Sequence, residues 1–173
     1  MIKKTVETAL NEQVKREEFS SRLYLAMASW CEANGYPGAA SFLYRQSDEE
    51  RMHQLKIVHY INDRGGYATL MPLPAPEVGY HNLKEVFEQV MEHERYITSS
   101  INDIYEVTLN EKDYTTGNFL QWYINEQIEE ESTMSKILDK IKLVGDDKAG
   151  MFHIDKELEA LSAAPVSSGT AAE

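Results

Sequence analysis

Four long stretches of the chain, at about 5–33, 38–64, 82–109 and 115–143, contain no proline, and their only glycines, Gly38 and Gly117, stand near a start. Within each stretch apolar residues recur on alternating four- and three-residue steps, the spacing that turns one helical face toward a bundle core. The breakers collect between the stretches instead, at Gly35-Tyr36-Pro37-Gly38, at Gly65-Gly66, and through Pro72, Pro74, Pro76 and Gly79. This pattern predicts an all-α fold. A fifth, shorter helix is expected at about 151–161, so that residues 1–161 form one domain. The Ser/Ala/Gly-rich residues 162–173 are expected to be disordered.

Loop lengths predict the topology. The first and second helices are joined tightly, as are the third and fourth, so each pair is antiparallel. The connection at about 65–81 is far longer. Its seventeen residues, extended, reach roughly 55 Å, whereas the second helix is on the order of 40 Å long. The loop can therefore run the length of the bundle and start the third helix parallel to the second. The expected fold is a four-helix bundle with one long crossover plus a short fifth C-terminal helix, packed on the bundle end or on a neighbouring subunit.

The inward stripe of each helix carries charge at its middle. The first reads Leu10, Val14, Glu17, Ser21, Tyr24, Ala28, Cys31, and the second Ala39, Leu43, Gln46, Glu50, His53, Ile57, Tyr60. The third reads Leu83, Phe87, Val90, Glu94, Ile97, Ile101, Ile104, and the fourth Thr116, Leu120, Tyr123, Gln127, Glu130, Met134, Ile137, Ile141. An unpaired ionised carboxylate costs several kcal/mol to bury. No Lys or Arg lies on any stripe, so the compensating charge is best supplied by metal ions. The chain also repeats itself: Glu17 precedes Glu50 by 33 residues, Glu94 precedes Gln127 by the same 33, and His53 and Glu130 each follow three residues later. Residues three apart share a helical face, so Glu50 with His53, and Gln127 with Glu130, can each address one ion. One Glu-x-x-His pair is a weak signal, but four matched helices are a strong one.

With these residues in view, the chain resembles bacterial non-haem ferritins over about residues 1–161. The matching stretches are Leu10-Asn11-Glu12-Gln13, Glu17 with Ser20-Ser21 and Leu23-Tyr24, Gly38-Ala39-Ala40, Glu49-Glu50 with His53, and His93-Glu94. Further along come Asn118-Phe119-Leu120-Gln121-Trp122-Tyr123, Glu126-Gln127, Glu129-Glu130 and Ile154-Asp155-Lys156-Glu157-Leu158. The resemblance implies a ferritin-like bundle with a di-iron ferroxidase centre. It places one iron on Glu17, Glu50 and His53, and a second on Glu94 and Glu130, with Glu50 bridging. It makes Gln127 a hydrogen-bonding neighbour and Tyr24 the tyrosine beside the pair, and it assigns a third iron site to Glu49, Glu126 and Glu129 together with Glu130. Implied too is a homo-oligomeric shell of twenty-four subunits, which takes Fe(II) with O2 or peroxide and stores ferric mineral. Haem is not expected: bacterioferritins carry a methionine directly after the Glu of the Glu-x-x-His pair, where this chain has Arg51, with Met52 about 100° further round.

Composition narrows the alternatives. With 29 Asp and Glu against 17 Lys and Arg, the net charge of −12 argues against non-specific nucleic-acid binding. No stretch approaches the ~20 apolar residues of a membrane span. Cys31 is the only cysteine, which excludes an internal disulfide framework and fits a reducing, cytoplasmic compartment. It also leaves no rubredoxin-like Cys pairs for a di-iron oxygenase or peroxide-reducing relative. A mini-ferritin would place its iron ligands between subunits, whereas these lie within one chain. Glu131 reads as a solvated helix position, Cys31 and Trp122 as packing residues, and His59, His81, His93 and His153 as unmatched.

Overall fold

Breakers stand at the ends of most of the helices, but α3 and α4 are separated by Glu111-Lys112-Asp113 alone, with Lys112 at a φ of 56°. The computed structural model describes residues 1–77 and 79–163, and its elements are α1 (Lys4–Ala33), α2 (Pro37–Asp63), α3 (Leu83–Asn110), α4 (Tyr114–Val144) and α5 (Lys148–Ala163). Pro37 opens α2 at the one helical position where a missing N–H is harmless. Asn82 caps α3 by accepting from Glu85 N at 2.9 Å, and Asp113 caps α4 by accepting from Thr116 N at 3.1 Å. Helix α5 starts earlier than the periodicity predicts because Asp147 accepts from Gly150 N at 2.9 Å, so a capped first turn tolerates the glycine. Ser162 and Ala163 close α5 instead of opening the expected tail. The remainder of that tail, 164–173, lies outside the described residues.

Hydrogen bonds between helices fix their directions. Ser21 Oγ donates to the Ser47 carbonyl at 2.7 Å, and Ile2 N donates to the Arg64 carbonyl at 2.9 Å, so α1 and α2 are antiparallel. Helix α3 runs against α1, with Ser20 meeting His93 and Gln13 meeting Ser100. Helix α4 runs against α2, with Gln46 meeting Glu130, His53 meeting Tyr123 and Tyr60 meeting Thr116. It follows that α2 and α3 are parallel, as the long crossover requires. Asn11 ties that crossover down, donating to the Tyr67 carbonyl at 3.1 Å and accepting from Thr69 N at 2.6 Å.

Of the residues on the four predicted inward stripes, only Ser21 and Tyr60 are half-buried; the others are all buried. The apolar ones form two separate clusters. One, around Tyr24, Leu43, Phe87 and Met134, fills one end of the bundle, and α5 adds Ile154 and Leu158 to it. The other, around Leu10, Ile57, Ile101 and Leu120, fills the opposite end. Each such side chain contributes about 1.5–3 kcal/mol on burial. Between the two clusters lies a buried polar layer.

Helix α5 is joined to the bundle by an unusual cap. Buried Asp155 accepts from Gly38 N at 3.1 Å and from Ala39 N at 2.9 Å, so a carboxylate from the last helix closes the first turn of α2. A Cβ on Gly38 would lie 1.8 Å from the Asp155 carbonyl oxygen, so only glycine admits this approach.

Candidate metal centre

Four helices deliver five donor residues to the middle of the bundle, all buried: Glu17 from α1, Glu50 and His53 from α2, Glu94 from α3 and Glu130 from α4. Ligand atoms of Glu17, Glu50 and His53 all lie within 4.8 Å of one another. His53 Nδ1 stands 3.3 Å from Glu50 Oε2, one helical turn away, and Tyr123 holds the backbone there by donating to the His53 carbonyl at 2.8 Å. Trp122 presents its ring edge-on to His53 at 5.2 Å, so it packs directly on a donor.

Glu94 is held from two sides. The Tyr24 hydroxyl donates to its Oε1, and Gln127 Nε2 donates to its Oε2 at 3.0 Å. Glu130 accepts from Gln46 Nε2 at 3.0 Å, and Glu17 accepts from Gln13 Nε2 at 2.9 Å. Ser100 in turn donates to Gln13 Oε1 at 2.8 Å. Sequence reasoning assigned no role to Gln13 or Gln46. For Gln13 the available signal is its position four residues before Glu17, one turn away on the same helix, whereas Gln46 reaches across to Glu130 on α4 and no spacing within its own helix announces that contact.

The electrostatics are those of crowded acids in a dry interior. Burial pushes the Glu17 and Glu50 carboxyls well above the usual range; Glu50 adds to the rise at Glu17, and Glu94 to that at Glu50. Burial also raises Glu94, against the hydrogen bonds from Tyr24 and Gln127. Glu130 rises to about 8 through burial and then through the Glu94 charge. Among the described residues, no Lys or Arg forms an ion pair with any of the four. Glu17 Oε2 is buried with no hydrogen-bond partner. A buried carboxylate with one oxygen unpartnered, grouped with Glu50 and His53, has the chemistry to take a cation, and oxygen donors with one imidazole suit divalent iron.

These shifts have a consequence for stability. Each raised carboxyl binds its proton more tightly in the folded chain than in the unfolded one. The resulting stabilisation is complete below the ordinary value of 4.5 and, for Glu130, is lost as pH rises through about 8. Metal-free protein is therefore expected to melt at higher temperature at pH 5 than at pH 8, and a bound divalent ion is expected to remove most of the difference. Calorimetry with and without chelator measures it; a metal-free protein more stable at pH 8 contradicts the assignment.

The outer acids behave differently from the inner ones. Glu49 and Glu126 are half-buried and bring ligand atoms within 4.8 Å of His53 and of each other, while Glu129 is exposed and lies outside that group. His93 is not a donor to this layer: it bonds Ser20 Oγ at 2.7 Å, and burial lowers its pKa to about 4. Cys31 is buried in the apolar cluster at one bundle end. Arg51, beside Glu50, is exposed, as is Met52.

Comparison with known proteins identifies the family. The family model for the ferritin-like domain matches residues 7–144. The chain belongs to the ferritin-like family. Among ferritin-like relatives, a probable bacterial non-heme ferritin-like protein of Haemophilus influenzae is 46% identical over 94% of this chain and 98% of its own length. The bacterial non-heme ferritin of Campylobacter jejuni is 41% identical over 94% and 97%. In structure, the chain superposes on an open pore ferritin from the hyperthermophilic archaeon Archaeoglobus fulgidus with a TM-score of 0.91 at 38% identity, covering 92% of this chain and 98% of that one.

Proposed function

We propose that this chain is the subunit of an iron-storage shell and that it oxidises Fe(II) with O2 at the buried layer. The observation that carries this reading is the convergence of Glu17, Glu50, His53, Glu94 and Glu130 in a dry interior that offers them no cationic side chain. One iron is taken by Glu17, Glu50 and His53, the other by Glu94 and Glu130, and Glu50 serves both. Iron here is the substrate, entering as Fe(II) and leaving as Fe(III).

The chain's own groups set the conditions. Anionic carboxylates stabilise Fe(III) over Fe(II) and so favour electron loss. Iron displaces the protons that the raised carboxyls hold. Two Fe(II) ions side by side each give one electron, so O2 can be reduced by two electrons together, without release of a one-electron oxygen species. Gln127 and Tyr24 hold Glu94 by hydrogen bonds and need not ligate. Glu49 and Glu126, with His53, form an outer position through which iron passes outward, and Glu129 and Glu130 extend that acidic path.

The assembly that the family resemblance implies is a twenty-four-subunit cage in the cytoplasm. Exposed apolar side chains on the monomer, among them Leu25, Met52, Leu143 and Phe152, offer surfaces for copies of the chain. No helix of the described residues is long and apolar enough to cross a membrane. Aerobic addition of Fe(II) in large excess, followed by size-exclusion chromatography, is expected to leave iron co-eluting with a shell of hundreds of kilodaltons. A monomer or dimer carrying at most two irons per chain contradicts storage.

A further inference from the structure

A hydrogen-bond chain links the buried layer to the α3–α4 surface. Gln127 Nε2 donates to Glu94 Oε2 at 3.0 Å and to the Glu94 carbonyl at 3.2 Å, and it also reaches Thr98 Oγ1 at 3.4 Å. The Thr98 hydroxyl donates to Glu131 Oε1 at 2.6 Å. Glu131 is half-buried on α4, at the edge of a groove of about 380 Å³ walled by Ile101, Ile124 and Ile128. Sequence reading took Glu131 for a solvated position, yet its carboxylate is engaged inward.

The polarity of this chain follows from proton counting. A hydroxyl has one proton, and an ionised carboxylate only accepts. Once Thr98 gives its proton to Glu131, only lone pairs remain to face Gln127. The amide must then turn its NH2 end toward Thr98, which is also the end that Glu94 requires. Glu94 alone favours the same orientation while it is a free anion. Bound iron neutralises Glu94 and weakens that preference, and Thr98 is then the group that keeps the amide from turning. An amide turned end for end would set Oε1 against Glu94 Oε2 and the Glu94 carbonyl, three acceptors together.

We propose that Thr98 and Glu131 are positioning residues: the surface carboxylate fixes the Thr98 hydroxyl, which fixes the Gln127 amide, which holds Glu94 in place for the second metal. This rests on the ferroxidase reading and deepens it. In Glu131→Gln the new amide can donate to Thr98, whose proton is then free to point at Gln127, reversing the chain without a change of size.

The test is anaerobic titration of the assembled metal-free protein with Co(II), followed through its visible absorption. The parent is expected to bind two ions per chain in the buried layer. Glu131→Gln and Thr98→Val are expected to weaken the second ion by roughly 10-fold, the low end of effects from residues behind metal ligands. They should leave the first ion and the melting temperature unchanged, and Thr98→Ser, which keeps the hydroxyl, should titrate like the parent. Parent-like titration of Glu131→Gln and Thr98→Val, or equal weakening of both ions, overturns the positioning role. A parent that binds fewer than two ions overturns the ferroxidase reading itself, and the chain of positioning residues with it.

Discussion

Glu50→Gln is expected to lower the initial rate of Fe(II)-dependent oxygen consumption at least about 100-fold, since loss even of groups behind a metal ligand costs 10- to 100-fold. Glu50 is the donor proposed to serve both irons: it shares a face with His53, lies close to Glu17, and feels the charges of Glu94 and Glu130. Glutamine matches its size but carries no charge to bridge two cations. The same variant is expected to raise the stability of the metal-free protein. Removing one of several crowded buried acids relieves repulsion that the hydrogen bonds from Tyr24, Gln127, Gln13 and Gln46 only partly offset, and each kcal/mol so relieved is worth roughly 2–4 °C in melting temperature. A faster-melting, metal-free Glu50→Gln protein contradicts the electrostatic account, and an unchanged oxygen-consumption rate contradicts the catalytic one.

The largest structural effect is expected at a residue far from the metal layer. Gly38→Ala would set a methyl group 1.8 Å from the Asp155 carbonyl oxygen, so α5 has to move and the Asp155 cap on α2 is lost. A lost helix cap and an overpacked contact together cost roughly 2–5 kcal/mol. Gly35→Ala provides the control: φ at Gly35 is 84° but no atom crowds its Cβ position, so only the left-handed backbone resists, at roughly 1 kcal/mol. Thermal unfolding should separate the two variants, and limited proteolysis should find α5 released in Gly38→Ala alone. Equal stability of the two would show that the Asp155 contact does not hold α5 in place.

How much was legible in the sequence differs between the stripe and its surroundings. Helical period alone put Glu17, Glu50, His53, Glu94, Gln127 and Glu130 on inward faces, because one buried face repeats at fixed spacing, and all six are buried. The crossover was legible from loop length, because only one connection could span the bundle. Contacts between helices carry no such period. That Gln46 would orient Glu130, that Asp155 would cap α2, and that Glu131 would face Thr98 each depend on where a distant helix places one atom. Glu129 shows the converse. Its neighbours in sequence include Glu126 and Glu130, yet its own angle on α4 turns it to solvent.

The central claim is that this layer of acids exists to hold a pair of iron ions. Crystals soaked with Fe(II) under strict exclusion of oxygen, with anomalous diffraction at the iron edge, test it most directly. The account predicts two strong neighbouring peaks inside each bundle, one against Glu17, Glu50 and His53 and the other against Glu94 and Glu130. Peaks confined to the outer acids, with the interior empty at saturating Fe(II), would contradict it.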